Sequence, residues 1–296
     1  MDVNLIGVDW GTSSLRAARI AANGAVLEER GSPRGILTVP AGGFAAVLQD
    51  TCGDWLRDPS ALCLVSGMAG SRQGWQEAPY CHCPAGFGEL GRGLHWVVPG
   101  RIAIVPGLAC ECDGVPDVMR GEEVQVFGAL SLLQQADGVV VLPGTHSKWV
   151  RVQAGVVQSF STWMTGEVYA LLRRHSILAR TMPDEEGPLD QAAFTRGVRH
   201  ATASGSLLHA AFSTRTLALF GQLEPHAQPG YLSGLVIGEE LRVQATGVAE
   251  VTLVGSPALT ARYALALATL GVRSRALGSE ATWRGLWALE RNLEAP

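Results

Sequence analysis

Hydrophobic and polar positions fall in short blocks from the start of the chain. Apolar runs over 5–8, 15–20 and 25–29 are separated by a Gly11-Thr12 turn and an Asn23-Gly24 turn. That pattern predicts three consecutive strands. The period then changes: Phe44, Val47, Leu48 and Trp55 share one helical face, which predicts a helix over 44–56. A short buried strand over 61–66 empties into Gly67-Met68-Ala69-Gly70-Ser71-Arg72. A small-residue loop after a buried strand is a usual ligand-binding position in α/β proteins. The Pro-, Gly- and Cys-rich stretch 78–93 reads as a long surface connection, and 102–105 as a strand closed by Pro106-Gly107. Gly121 then opens a helix with Glu122 and Glu123 in its first turn, where acidic groups suit the helix dipole. Val124, Phe127, Leu130 and Leu133 carry that helix forward.

The stretch 134–138 marks a domain boundary, dividing the chain into 1–135 and 136–296. Immediately after it, Gly144-Thr145-His146-Ser147 lies between two apolar runs, as Gly11-Thr12-Ser13-Ser14 does 133 residues earlier. An internal repeat about one domain long predicts two related domains. The copies are unequal, because Leu142 stands where the first copy has Asp9. A third strand over 156–161 follows, then Thr165 as N-cap of a helix with Glu167 in its first turn and a stripe of Val168, Leu171, Leu172 and Leu178. Helices are predicted over 191–200, 207–219 and 232–246. A strand over 251–254 runs into Gly255-Ser256-Pro257, with Ser256 as N-cap and Pro257 at the first helical position. A strand over 274–277, a turn over 278–280 and a helix through Trp287 complete the pattern.

Composition narrows the class. With 296 residues, 47% hydrophobic and 17% charged, the chain can bury a large core and is not a disordered protein. A net charge of −4 gives no electrostatic case for nucleic acid. No apolar stretch approaches the roughly 18–20 residues that span a bilayer, and no signal-peptide pattern opens the chain. These features predict a cytoplasmic protein acting on a small molecule, with neither nucleic acid nor membrane as partner; they leave the oligomeric state open. Cys81-His82-Cys83 and Cys110-Glu111-Cys112 are spaced more tightly than a structural zinc knuckle, so the six cysteines are expected as free thiols. Lys148 is the only lysine among 23 basic residues. An ammonium and a guanidinium are not interchangeable in a tight site, so Lys148 is a candidate substrate contact.

The repeated turns carry the chemistry. Gly11, Thr12 and Ser13 in one copy, and Gly144 and Thr145 in the other, offer clustered N–H and hydroxyl donors that suit a phosphate chain. Asp9 at the strand end suits a hydrated magnesium ion. The Gly255-Ser256 turn leaves backbone room for an adenosine. Two phosphate turns, one metal-binding carboxylate and a nucleoside turn describe a site for ATP and Mg2+. A kinase also needs a base for the acceptor hydroxyl, and Glu122 and Glu123 are both candidates. Arg120 beside them suits an anionic group, as do Arg16, Ser71 and Arg72; Thr165 and Glu167 could meet sugar hydroxyls. His146 fits either a local hydrogen bond or a ligand contact.

The order of these segments resembles the sugar kinase, hexokinase, actin and heat-shock ATPase superfamily. More narrowly, Val8-Asp9-Trp10-Gly11-Thr12, Met119-Arg120-Gly121-Glu122-Glu123, Leu142-Pro143-Gly144-Thr145-His146-Ser147-Lys148-Trp149-Val150 and Met164-Thr165-Gly166-Glu167 are similar to the 2-dehydro-3-deoxygalactonokinase family. Tyr231-Leu232-Ser233-Gly234-Leu235 and Leu259-Thr260-Ala261-Arg262-Tyr263 fit as well. The resemblance implies an α/β fold of two ribonuclease H-like (actin-like ATPase) domains facing a cleft. It also implies ATP-dependent phosphorylation of the terminal, 6-hydroxyl of 2-dehydro-3-deoxygalactonate in galactonate breakdown. Gly278-Ser279-Glu280 departs from the Gly-Asp expected there, so that turn is assigned no role. Two rivals share the superfamily. An exopolyphosphatase-like hydrolase would use the glutamate to activate water. A sugar-sensing repressor would carry an N-terminal DNA-binding helix pair and a zinc motif. The first hairpin begins almost at residue 1 and neither C-x-C is followed by Gly-x-x-Gly-Cys, so a repressor is not expected.

Overall fold

The structure is a computed structural model and describes residues 3–293. Its strands are β1 (Val3–Trp10), β2 (Leu15–Ala21), β3 (Val26–Ser32), β4 (Leu62–Gly67), β5 (Tyr80–His82), β6 (His95–Val98), β7 (Ile102–Ile104), β8 (Gly107–Cys112), β9 (Val115–Met119), β10 (Gly138–Leu142), β11 (Ser147–Gln153), β12 (Val156–Trp163), β13 (Glu250–Val254) and β14 (Arg273–Leu277). The helices are α1 (Phe44–Cys52), α2 (Phe87–Arg92), α3 (Glu122–Leu133), α4 (Thr165–His175), α5 (Gln191–Ser204), α6 (Leu207–Ala210), α7 (Ser213–Leu219), α8 (Gln228–Gln244), α9 (Pro257–Thr269) and α10 (Glu280–Arg291).

The repeat seen in the turns extends to the sheets. One sheet runs β3-β2-β1-β4-β7-β6 and another β12-β11-β10-β13-β14. In each, three consecutive strands are followed outward by two strands that arrive through crossovers, and in the first sheet β6 adds an antiparallel edge beside β7. In the first, β1 and β2 pair antiparallel while β1–β4 and β4–β7 are parallel. In the second, β10–β13 and β13–β14 are parallel. Parallel pairing needs a covering layer on the faces. In the first sheet, Ile6, Val8, Trp10 and Val65 are buried with Phe44, Val47 and Leu48 of α1. In the second, Val141, Trp149, Val251 and Leu253 are buried with Phe194, Ile237, Tyr263 and Leu267.

The chain forms two compact units that interleave in sequence. One takes residues up to 138, 150–160 and those from 279 on; the other takes 139–149 and 161–278. The pattern alone predicts a single break after 135, because helix periodicity does not reveal where a C-terminal helix docks. Helix α10 belongs to the first unit. It packs along α3 so closely that a Cβ at Gly128 would lie 1.7 Å from the Ala281 carbonyl oxygen, and one at Gly285 would lie 1.9 Å from that of Val124.

Several expectations need correction. The stretch 78–93 is not a surface connection: it contains β5 and α2, and Ala78, Ala85 and Leu90 are buried. Strand β5 pairs with β8, and β8 with β9, in a third sheet absent from the sequence reading. The 44–56 helix ends at Cys52, and a separate 3-10 turn spans Trp55–Arg57. The 207–219 helix is two helices. Leu171 is exposed and leaves the predicted stripe. Thr165 is the first helical residue of α4 and does not cap it; its hydroxyl is bonded elsewhere.

Candidate active site

In the first unit, three segment ends converge. β1 ends at Asp9-Trp10, beside β4 in register with Ser66 and Gly67. A Cβ at Gly67 would lie 2.8 Å from the Trp10 carbonyl oxygen and 3.4 Å from Asp9 Oδ1. Gly121, at the start of α3, approaches until a Cβ there would lie 3.1 Å from the Gly67 Cα. Both glycines have positive φ, 95° and 102°, which side chains disfavour. This glycine pair lets the Glu122-Glu123 turn of α3 reach the strand end that carries Asp9.

Asp9 is partly exposed and faces Arg16, its antiparallel partner on β2, at 2.5 Å. The Arg16 guanidinium also lies over the Trp283 ring. Beyond Asp9 the chain turns tightly, with the Gly11 N–H donating to the Ser14 carbonyl at 2.9 Å. Thr12 and Ser13 are exposed on that turn.

The two glutamates differ sharply. Glu122 is partly exposed, and its Oε2 accepts the Arg120 N–H at 3.0 Å. Glu123 is fully buried; its Oε2 accepts the Gly121 N–H at 2.6 Å, and its Oε1 has no hydrogen-bond partner. Burial, reinforced by the negative charge of Glu122, pushes the Glu123 carboxyl up to about 8 against the pull of its backbone hydrogen bonds and Arg120. Arg120 is itself buried, donates to the Ala78 carbonyl at 2.8 Å and lies over the Tyr80 ring. Its Nε and Nη1 lack partners. Gly70 makes space for it, since a Cβ there would lie 2.8 Å from Nη1. On the same loop Ser71 donates to the Met68 carbonyl at 2.8 Å, while Arg72 is 87% exposed and pairs with Glu77.

In the second unit, the Gly144-Thr145-His146 turn is exposed from Thr145 on, and α4 begins directly against it. The Glu167 N–H donates to the Thr145 carbonyl at 3.1 Å, and the Glu167 carboxylate meets His146 Nε2 at 2.5 Å. Lys148 is buried, its ammonium 3.4 Å from the His146 carbonyl. Strand alternation predicts Ser147 and Lys148 on opposite faces; both side chains are nevertheless buried. Gly255 and Ser256 lie at the end of β13, with Pro257 opening α9 and no side-chain bond from Ser256 to the helix.

Sequence reasoning passed over Glu240. This carboxylate, in the C-terminal part of α8, is fully buried. Oε1 accepts from Ser147 Oγ at 2.8 Å and from the Trp149 indole at 2.6 Å. Oε2 accepts from Tyr263 Oη at 2.7 Å and from the Thr165 hydroxyl. Burial pushes this carboxyl up and the four donors pull it back. Gly238-Glu239-Glu240 repeats the Gly-Glu-Glu of 121–123, and in both the second glutamate is the buried one. That recurrence was the available signal. Among the described residues no group of three or more His, Cys, Asp or Glu could hold a metal ion, and all six cysteines are free.

A family model described as 2-keto-3-deoxy-galactonokinase matches residues 9–289. The chain is 35% identical over 287 residues to the 2-dehydro-3-deoxygalactonokinase of Escherichia coli K12, covering 96% of each. It is 39% identical over 293 residues to a Rhizobium meliloti protein named "Probable 2-dehydro-3-deoxygalactonokinase DgoK1", covering 96% of this chain and 95% of that one. A crystal structure of a "putative 2-dehydro-3-deoxygalactonokinase" from Sinorhizobium meliloti superposes with a TM-score of 0.90 at 38% identity, over 97% of this chain and 98% of that one. Solved structures at only 12% and 14% identity, with TM-scores of 0.51 and 0.50, share the fold alone.

Proposed function

The chain belongs to the 2-keto-3-deoxy-galactonokinase family, and we propose that the turns and carboxylates described above carry its sugar-acid kinase reaction. The acceptor is the terminal, 6-hydroxyl of 2-dehydro-3-deoxygalactonate and the donor is ATP; the product feeds galactonate breakdown. The observation that supports this reading best is the placement of Glu122: a carboxylate at a helix start, partly exposed, in the same unit and beside the same glycine pair as Asp9.

Glu122 takes the proton of the acceptor hydroxyl as its oxygen attacks the γ-phosphorus. The new oxygen–phosphorus bond forms while the bond to the β-phosphate oxygen breaks and ADP leaves. Glu123 is too deeply buried to touch substrate. It holds Gly121 in place and so aims Glu122. Backbone N–H groups and hydroxyls of Gly11, Thr12, Ser13, Gly144 and Thr145 hold phosphate oxygens, and the Gly255-Ser256 turn receives the nucleoside. Asp9 fits magnesium: it is a single accessible carboxylate beside a phosphate turn, and such ions keep most of their water and take one or two carboxylates. Once bound, the ion would neutralise charge on the phosphates.

For the substrate carboxylate, Arg72 is the accessible candidate. Its ion pair with Glu77 is exposed and therefore weak, so a substrate anion can replace it. Arg16, Ser71, Lys148, Thr165 and Glu167 complete the substrate-facing set, and Arg120 supplies positive charge from beneath. An ADP-release assay across a panel of 2-keto-3-deoxy sugar acids tests the reading. ADP should appear only with a sugar acid, and Glu122→Gln should lower kcat by about 100-fold or more, the usual share of a general base. Phosphate or ADP release at an equal rate without any sugar acid would replace the kinase by a hydrolase.

A further inference from the structure

Three segments of the second unit assigned to nucleotide or substrate by their sequence meet at one atom pair. The strand leaving the Gly144-Thr145 turn contributes Ser147 and Trp149, the start of α4 contributes Thr165, and the helix behind Gly255-Ser256 contributes Tyr263. All four donate to the two oxygens of Glu240. An ionised carboxylate has about four acceptor positions, so its capacity is filled by residues from three separate elements. Thr165 and Tyr263 also line a small cavity of about 50 Å³ together with Gly144, Gly166, Ser233 and Arg262. The hydrogen bonds therefore lie directly beneath the surface that the phosphate turn and α4 share.

A carboxylate buried this completely is a poor way to stabilise a core. Hydrophobic residues of similar volume usually do as well, whereas removing one partner of a buried polar set is costly. What the arrangement supplies is geometry. The acceptor set is rigid, belongs to the long helix α8, and fixes the relative placement of three segments that must face one ligand.

We propose that Glu240 is a positioning residue for nucleotide binding, holding the second phosphate turn, the start of α4 and the nucleoside-side helix α9 in one arrangement. This rests on the nucleotide reading of the second unit given above. Glu240 touches no substrate. Its loss weakens ATP first and reaches the acceptor side only through Lys148, Thr165 and Glu167, since Arg16, Ser71, Arg72 and Glu122 lie in the first unit.

Two substitutions separate positioning from mere packing. In Glu240→Gln the side-chain oxygen must face the Trp149 indole, which can only donate, and the amide nitrogen must face Thr165 and Tyr263, whose hydroxyls can turn to accept. The tie survives through neutral, weaker bonds. In Glu240→Asp the charge remains, but one methylene less prevents it from reaching all four donors. The KM for ATP and the calorimetric Kd for ADP should rise in the order wild type, Gln, Asp. The Asp variant should reach about tenfold or more, as expected for losing charge-assisted bonds that order a binding segment. The KM for the sugar acid should rise by a smaller factor than the KM for ATP, because only Lys148, Thr165 and Glu167 among its proposed contacts share the disturbed unit. Tyr263→Phe removes a single donor, gives a smaller rise in the same direction, and serves if the Asp variant does not fold.

Lowered thermal midpoints with unchanged ATP KM and ADP Kd in the Gln and Phe variants would overturn the inference and leave Glu240 as a packing residue. Wild-type protein that binds ADP but phosphorylates no sugar acid would count against the kinase reading alone, and the ADP constants would still decide for or against Glu240. Wild-type protein that binds no ADP would overturn both.

Discussion

Glu123 makes the folded chain pH-sensitive in a direction opposite to most carboxylates. It has no exposed surface, and burial raises its carboxyl from 4.5 to about 8. A group held protonated by the fold binds protons more tightly folded than unfolded. Its contribution is therefore complete below pH 4.5 and is lost as the pH climbs through about 8. Each pH unit in that window is worth about 1.4 kcal/mol, so between pH 5 and 8 the residue withdraws on the order of 4 kcal/mol. Glu123→Gln keeps an oxygen to accept the Gly121 N–H and leaves an amide nitrogen where Oε1 is buried without a partner. That costs roughly 1–3 kcal/mol, but equally at every pH. The variant should therefore be the less stable protein at pH 5 and gain steadily on the wild type towards pH 8. Because the chain forms two compact units and a single global transition need not report on α3, the measurement is hydrogen-exchange protection of amides within α3 from pH 5 to 8.5, corrected for intrinsic exchange. Glu122→Gln removes the neighbouring negative charge, brings Glu123 closer to its ordinary value and shrinks the effect. A difference between wild type and Glu123→Gln that stays constant within about 0.5 kcal/mol across this range would refute the reasoning.

Other consequences are more direct. Lys148→Arg keeps the charge but not the compact head in a nearly closed position. Its kcat/KM should fall by about tenfold or more with circular dichroism unchanged, and full activity would remove Lys148 from the site. Gly128→Ala forces a methyl into the Ala281 carbonyl and should cost about 3 kcal/mol in denaturant unfolding, the upper range of overpacking; an unchanged midpoint would mean that α10 docks elsewhere. Native thiol titration should label exposed Cys112 first. Cys52 and Cys63 should react only on unfolding, since burial pushes the former up to about 12 and the latter well above its usual range.

The features legible in the sequence were those with a local signature. Strand–turn–strand blocks around Gly11 and Gly144 announced both hairpins, and Gly121 announced the start of α3. The β8–β9 hairpin was equally local: Asp113-Gly114, with φ of 53° and 78°, is a two-residue turn of the kind Asp-Gly favours. It was obscured because Cys, Glu and Pro replace the usual strand formers on both sides. Thr165 misled for a different reason. A threonine before Gly-Glu looks like a cap, but its hydroxyl belongs to a carboxylate 75 residues away. Nothing local reports such a partner. Glu240 is the same case from the other side, a second glutamate in an acidic pair that reads as solvent-facing until α8 proves buried on nearly every side.

These two carboxylates explain why the repeat is unequal. In the first copy, Asp9 sits at the strand end, in front of the turn, and meets Arg16 across the hairpin. In the second, Leu142 fills that place and is buried. The acidic group serving the second hairpin comes from another helix and grips Ser147 and Trp149 on the departing strand. An anion in front of a phosphate turn repels phosphate unless a cation intervenes, whereas one buried behind it, saturated by four donors, exerts a weaker field on the ligand and still fixes the backbone. On the proposed kinase reading, the first hairpin suits a hydrated cation and the second suits the phosphate chain directly. A Leu142→Asp variant should accordingly weaken nucleotide binding, and adding magnesium should recover part of the loss, because the new carboxylate would stand where Asp9 stands in the first copy.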